Sequence, residues 1–110
     1  MPAIALADGH STVFSKSGSG KDCKFPKITE TGSHTYDKVV VGPNLYRPVL
    51  QDDQVGLHAI YGNCGIPDPS TLTTYSSTVF INGKGVGRIG DEYGSDNIIT
   101  SGFSKVFIGG

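Results

Sequence analysis

The stretch TVFINGKGVGRIGD, residues 78–91, decides the fold of this chain. It opens with β-branched and aromatic residues at 78–81, which favour a strand. Asn82 and Gly83 follow, and both residue types accept a positive φ, so this pair is the strongest short signal for a two-residue β-hairpin. Glycine then interrupts the return strand at positions 85, 87 and 90. The stretch therefore predicts a hairpin of two short strands.

Parts of this stretch recur along the chain. The last seven residues, SKVFIGG (104–110), are identical to STVFING (77–83) at five of seven positions. A weaker copy, KVVVG, lies at 38–42, and the four letters STVF also occur at 11–14. A unit consisting of a Thr-rich strand, a small turn, a β-branched strand and Gly therefore occurs about three times.

Composition indicates one small domain, 1–110, that is rich in turns. The chain has 110 residues, of which 36% are hydrophobic and 17% charged, and its 16 glycines are well above an average share of about 7%. Helical periodicity is absent, because Gly or Pro interrupts each candidate window. Glycine this dense inside strands indicates bends or close backbone contacts. We expect an all-β, Gly-rich cone of short hairpins, with three units facing one another around an axis.

Charge and patterning exclude several classes of function. The net charge is -1 and no basic cluster is present, so nucleic acid is not expected as a partner. The N-terminus, MPAIALADGHSTVF, lacks a secretory signal, and no segment approaches the roughly 20 apolar residues of a membrane span, so we expect synthesis in the cytosol. The stretch SGSGK at 17–21 lacks the Ser or Thr that follows the lysine of a phosphate-binding loop, and reads as a flexible linker.

From residue 76 to 110 the sequence resembles the PAAR-repeat proteins, which form the tips of contractile-tail spikes in bacteriophages and type VI secretion systems. The family pattern is roughly G-S-x-x-V-x-x-N-G-x-x-x-x-R-x-G-D, and from its Ser onward it stands here at 76–91, with Asn82, Gly83, Arg88, Gly90 and Asp91 in the motif positions. The family's Pro-Ala-Ala-Arg is GVGR at 85–88, so only the arginine is retained. A degenerate copy at 38–52 places Arg47 where Arg88 stands.

The resemblance implies a structural role rather than an enzymatic one. A cone-shaped monomer would sit on the blunt end of a trimeric β-helical spike and pierce the host outer membrane. It would be a virion protein at the tail tip or baseplate, made in the host cytoplasm. The bare length favours a phage, and a secretion-system spike tip is the alternative. Arg88 and Asp91, three residues apart across a bend, are expected to pair or to cap backbone groups.

The resemblance also implies one metal ion at the tip, zinc or iron, held by histidines and a cysteine. His58 and Cys64 form the strongest local pair, in HAIYGNCG, and Cys23 is a third candidate. His10, in the first turn, is the fourth, because tetrahedral zinc needs four donors. His34 is expected to face solvent. The spacing matches no metal-binding signature, and a surface histidine beside a buried free cysteine remains the alternative.

Two further alternatives stay open. Cys23 and Cys64 could form one disulfide, although reduced thiols or metal ligands are the more natural reading without a secretion signal. A small metal-dependent hydrolase could use His58, Cys64 and a carboxylate around an open zinc position. The few aromatic residues leave that enzyme without an evident substrate pocket.

Overall fold

A computed structural model describes residues 1–15, 27–33, 38–56, 59–60, 63–67, 70–94 and 97–110. It contains ten strands: β1 (Ala3–Ile4), β2 (Thr12–Ser15), β3 (Lys27–Glu30), β4 (Ala59–Ile60), β5 (Asn63–Pro67), β6 (Phe80–Ile81), β7 (Lys84–Gly85), β8 (Glu92–Tyr93), β9 (Asn97–Ile99) and β10 (Phe103–Phe107). Every strand pairing is antiparallel, and the described residues form no helix. The fold is therefore all-β, as expected. In this part of the chain no helix is long and apolar enough to cross a membrane.

The strands form one larger sheet and three pairs. The four-stranded sheet has the order β3-β2-β9-β8, and the pairs are β1-β10, β4-β5 and β6-β7. In the first of these pairs the C-terminal strand lies beside the N-terminal one, with Phe107 opposite Ala3. The two ends of the described chain are therefore neighbours.

A closed ring of three backbone hydrogen bonds joins segments 3–7, 47–51 and 85–89. The amide of Ala5 donates to the carbonyl of Gly87 over 3.0 Å, the amide of Gly87 donates to Val49 over 2.8 Å, and the amide of Val49 donates back to Ala5 over 3.1 Å. These three residues are buried. Each segment gives one bond and receives one, so buried backbone groups at the centre are satisfied without side chains.

The bridges around this ring repeat the same three-way pattern. In each of three antiparallel bridges, the residue directly after one ring residue faces the residue directly before another. The bridges join Arg88 with Ile4, Leu6 with Pro48, and Leu50 with Val86. Further along each segment a second closed set of bridges joins Thr31 with Val55, Leu72 with Tyr93, and Val13 with Ile99. Each ring segment, with the described residues that follow it, makes up one of three parts of the chain. Both sets of bridges link these three parts in a cycle.

Gly87 shows how tightly the ring is packed. A Cβ placed on it would lie 3.0 Å from Cδ2 of Leu72 and 3.1 Å from Cγ1 of Val49. Such distances are tighter than ordinary carbon contacts, so these two side chains would have to shift by a few tenths of an ångström. Glycine at this place therefore lets side chains of the neighbouring segments pack directly against the backbone.

Beside the residues that lead into each ring residue lies an antiparallel partner strand, and we call these pairs the walls. Wall 1 is 103–108 with 2–4, wall 2 is 39–41 with 46–48, and wall 3 is 79–81 with 84–86. Counting three residues back from the ring residue gives Pro2, Tyr46 and Lys84. Their backbone partners across the walls are Ile108, Val41 and Ile81. The copies at 104–110, 38–42 and 77–83 therefore occupy matching places.

The walls differ in how their strands are connected. Wall 3 has the two-residue turn 82–83, and wall 2 has the four-residue turn 42–45. The strands of wall 1 come from opposite ends of the described chain, so no turn joins them.

Buried apolar side chains form two clusters, and both include residues from all three parts of the chain. One lies between the walls and contains Ile4, Leu6, Val41, Leu50, Val86 and Ile108. The other lies beyond the ring and contains Ala5, Ala7, Val13, Val49, Val55, Leu72, Tyr93 and Ile99. Each cluster draws residues from all three parts of the chain, so no single hairpin has a core of its own.

Candidate functional site

The Asn-Gly hairpin of the opening motif lies at the end of wall 3. Asn82 has a φ of 54° and Gly83 a φ of 74°, and Ile81 pairs with Lys84 across them. This geometry belongs to the tight turn whose twist matches that of two antiparallel strands. A Cβ on Gly83 would meet nothing within 4 Å, so the turn projects into open space.

The turn that follows each ring residue is held by a side-chain oxygen that accepts a hydrogen bond from a backbone amide. The amide of Leu50 donates to Oδ2 of Asp53 and that of Arg88 to Oδ2 of Asp91, each over 2.8 Å. In the first part of the chain the amide of Leu6 donates to Oγ of Ser11, also over 2.8 Å, across a longer turn. All three turns contain a residue with positive φ: Asp8 at 59°, Asp52 at 71° and Gly90 at 93°.

Arg88 and Asp91 form a partly enclosed ion pair. Nε of Arg88 donates to Oδ2 of Asp91 over 2.9 Å and its second guanidinium nitrogen to Oδ1 over 3.2 Å. The side chains are 15% and 7% exposed. Hydrogen bonding to Asp91 raises the pKa of the Arg88 guanidinium above its ordinary value, despite an opposing effect of burial. The guanidinium also donates to the carbonyl of Gly109 over 3.3 Å, so the pair ties the third turn to the C-terminal segment.

The expected match of Arg47 with Arg88 is wrong. The ring and its bridges place Leu50, three residues beyond Arg47, where Arg88 stands. The turn of wall 2 is two residues longer than that of wall 3, which accounts for two of those three positions. Arg47 instead holds the first turn. Its Nε and one terminal nitrogen donate to the two carboxylate oxygens of Asp8 over 2.8 and 2.6 Å.

Of the four expected metal ligands, the structure describes one side chain, that of His10. Its ring is exposed and stacks on Tyr46 with the centroids 3.9 Å apart. Cys23 and His58 lie outside the described residues, and Cys64 lies in β5, where the backbone alone is described. Among the described residues no three or more His, Cys, Asp or Glu come together. His10 therefore has a packing partner but no ligand set, and the zinc site stays a prediction.

Tyr93 carries a buried hydroxyl that sequence reasoning did not single out. The side chain is fully buried and its hydroxyl has no hydrogen-bond partner among the residues that the structure describes. Burial, and secondarily the negative charge of Asp53, raise the pKa of Tyr93 above its ordinary value. At the matching places in the other two parts of the chain stand Val13 and Val55, which explains why the surroundings are apolar.

Three exposed apolar side chains on the walls were also missed. They are Val40, Phe80 and Phe107, the middle residues of the repeated VVV and VFI triplets. The signal was present in the alignment of the repeats, because the same middle position is apolar in each copy.

Compared with known proteins, the chain matches no family model, no curated protein and no solved structure. The resemblance to spike-tip proteins therefore rests on the motif residues alone.

Substitution Arg88→Leu tests what the ion pair contributes. It gives the third turn the leucine found in the second, but it leaves the buried carboxylate of Asp91 without a cation. We expect the free energy of unfolding to fall by about 2–4 kcal/mol in chemical denaturation. Arg88→Lys, which keeps the charge and loses the fork geometry, should cost less. An Arg88→Leu variant as stable as the parent would show that Asp91 needs no ion pair.

Raising the pH tests the buried phenol. In the folded chain the hydroxyl of Tyr93 holds its proton, whereas the unfolded chain releases it near the ordinary tyrosine pKa of about 10. The stability linked to this group is therefore complete below pH ~10 and is lost progressively above it.

The variant Tyr93→Phe should be about as stable as the parent at neutral pH, because no hydrogen bond is lost. Its free energy of unfolding should fall less steeply between about pH 9 and 11. Tyr46→Phe is the matched control and should keep the slope of the parent. Equal slopes for the parent and the Tyr93 variant would contradict the assignment.

Proposed function

We propose that this protein is the structural tip of a membrane-piercing spike, capping the end of a trimeric β-helical protein in a contractile tail. The observation that carries the proposal is the closed three-way ring of Ala5, Val49 and Gly87. Around it the described chain presents three similar walls, built from sequence copies in matching places. A threefold partner has three identical surfaces, and one chain with three similar walls can meet all of them at once.

The mechanical requirements of a tip also support the proposal. Both apolar clusters draw side chains from all three parts of the chain, so one part cannot separate without exposing the others. The molecule measures 40 × 25 × 24 Å. Its two short axes are nearly equal, which suits a tapered body on a threefold axis, and the proposed shape is the Gly-rich cone.

The remaining elements of the proposal come from the resemblance. The tip belongs to a phage tail or baseplate, with a type VI secretion spike as the alternative setting, and it acts on an outer membrane without catalysing a reaction. One zinc or iron ion held by Cys23, His58, Cys64 and His10 would tie distant parts of the chain together, and zinc bound by such donors contributes directly to folding stability.

The test is to mix the purified chain with recombinant trimeric β-helical spike fragments from contractile tails and to weigh the complex by native mass spectrometry. We expect one chain per trimer, because the three walls of one chain engage the three subunits. The matched control is the same trimer already closed by its own tip protein, which should not bind. Failure to bind any open trimer, or three chains bound to one trimer, would contradict the proposal.

A further inference from the structure

Three of the six large exposed hydrophobic side chains in the described residues occupy one and the same position in the three walls. Val40 is 44% exposed, Phe80 54% and Phe107 55%. Phe80 lies opposite Gly85 and Phe107 opposite Ala3, and each of these partners stands two residues before its ring residue. In wall 2 the bridge of Val41 with Tyr46 places Val40 at the same position, one residue before the bridged valine, as Phe80 stands one residue before Ile81.

Each of these side chains points away from the core. In wall 3 the neighbours Val79 and Ile81 pack against the buried cluster, and alternation along a strand turns Phe80 to the opposite face. In wall 1 the neighbours Val106 and Ile108 pack inward in the same way.

Wall 2 follows the same pattern of burial. Val41 is a member of the buried cluster and Val39 is half-buried, whereas Val40 between them is exposed. The apolar residues therefore stand on the sides of the body, one on each wall, and not on the ends of the turns.

The surroundings of the outer residues indicate the chemistry of what covers them. The partners Gly85 and Ala3 are small, so the rings of Phe80 and Phe107 are not covered from across the wall. Lys105 stands two residues before Phe107 in β10 and is exposed, and residues two apart on a strand share a face. Wall 1 therefore offers an apolar side chain with a positive charge beside it.

We propose that the three wall residues are lateral contact sites for a threefold protein whose subunits reach along the walls, each covering one site with an apolar side chain whose flanking carboxylate meets Lys105 on wall 1. This inference rests on the proposed spike-tip function and specifies how the partner is gripped. Scattered exposed apolar residues are ordinary on proteins, but the same position in three differently connected walls is not accounted for by scatter. A partner that touched the turns alone would leave all three uncovered.

The experiment replaces single residues of the full chain with the photo-crosslinking amino acid p-benzoylphenylalanine, at position 80 or 107 on the walls and at position 45 in the turn of wall 2. Leu45 is the matched control because it is apolar and 67% exposed, but lies in the turn 42–45 and not on a wall strand. Each chain is mixed with the trimeric spike fragment and irradiated. We expect crosslinks from both wall positions and few from position 45.

Serine substitutions measure the affinity. Phe80→Ser and Phe107→Ser should each weaken binding about tenfold or more, Val40→Ser by less, and Leu45→Ser should leave it within about twofold. The double variant Phe80→Ser/Phe107→Ser should lose about the product of the single effects, because the sites are on separate walls. Unchanged thermal unfolding of each variant shows that the fold is intact.

The outcomes separate the two claims. Crosslinks from position 45 alone, with unchanged affinity of the wall variants, would overturn the lateral sites while leaving the capping function in place. No complex with any open trimer would overturn the capping function, and the lateral sites with it.

Discussion

The closed ring of backbone hydrogen bonds among Ala5, Val49 and Gly87 is the constraint on which the rest of the structure depends. The three ring positions hold an alanine, a valine and a glycine, and the least room for a side chain is at the glycine. A Cβ on Gly87 would lie 3.0 Å from Leu72 and 3.1 Å from the side chain of Val49. The ring fixes the register of the segments, and the walls on one side and the turns on the other follow from that register.

The ring also explains why the three parts of the described chain can differ in the residues that close their turns. One turn is closed by a serine and two by aspartates, yet each supplies an oxygen to the same kind of backbone amide. Arg88 stands where the other two parts have leucine, and its charge is met by Asp91 and a carbonyl of the C-terminal segment. Wall 1 lacks a connecting turn, so the ties from Arg88 and from Ser76 to Gly109 help to hold its C-terminal strand in place.

Much of this arrangement was readable from the sequence, because it depends on local rules. The Asn-Gly turn at 82–83 and the absence of helix in the described residues follow from short-range preferences and are confirmed. The strand copy at 104–110 pairs with the N-terminal strand, not in a hairpin of its own. The pairing of Arg47 with the wrong counterpart shows where such reading fails. Two additional residues in one turn shift the alignment of the copies. Only the register of the ring shows which residue occupies the place of Arg88.

The candidate sites also differ in how far apart their residues lie in the sequence. Arg88 and Asp91 are close in sequence, so a bend is enough to bring them together. A metal site depends on distant loops, and Cys23, His58 and Cys64 cannot be assembled from spacing alone. The exposed apolar residues on the walls were not predicted for another reason. A single exposed phenylalanine does not indicate a binding site, and these residues indicate one only because they occupy the same position in all three walls.

The measurement that tests the central claim most directly is amide hydrogen exchange of the folded protein at single-residue resolution. If the ring is the core of the structure, the amides of Ala5, Val49 and Gly87 should be among the slowest to exchange. They should also exchange at similar rates, because they open only when all three segments separate. Fast exchange at one of the three, or rates that differ by orders of magnitude among them, would show that the segments open independently and would contradict the three-way closure.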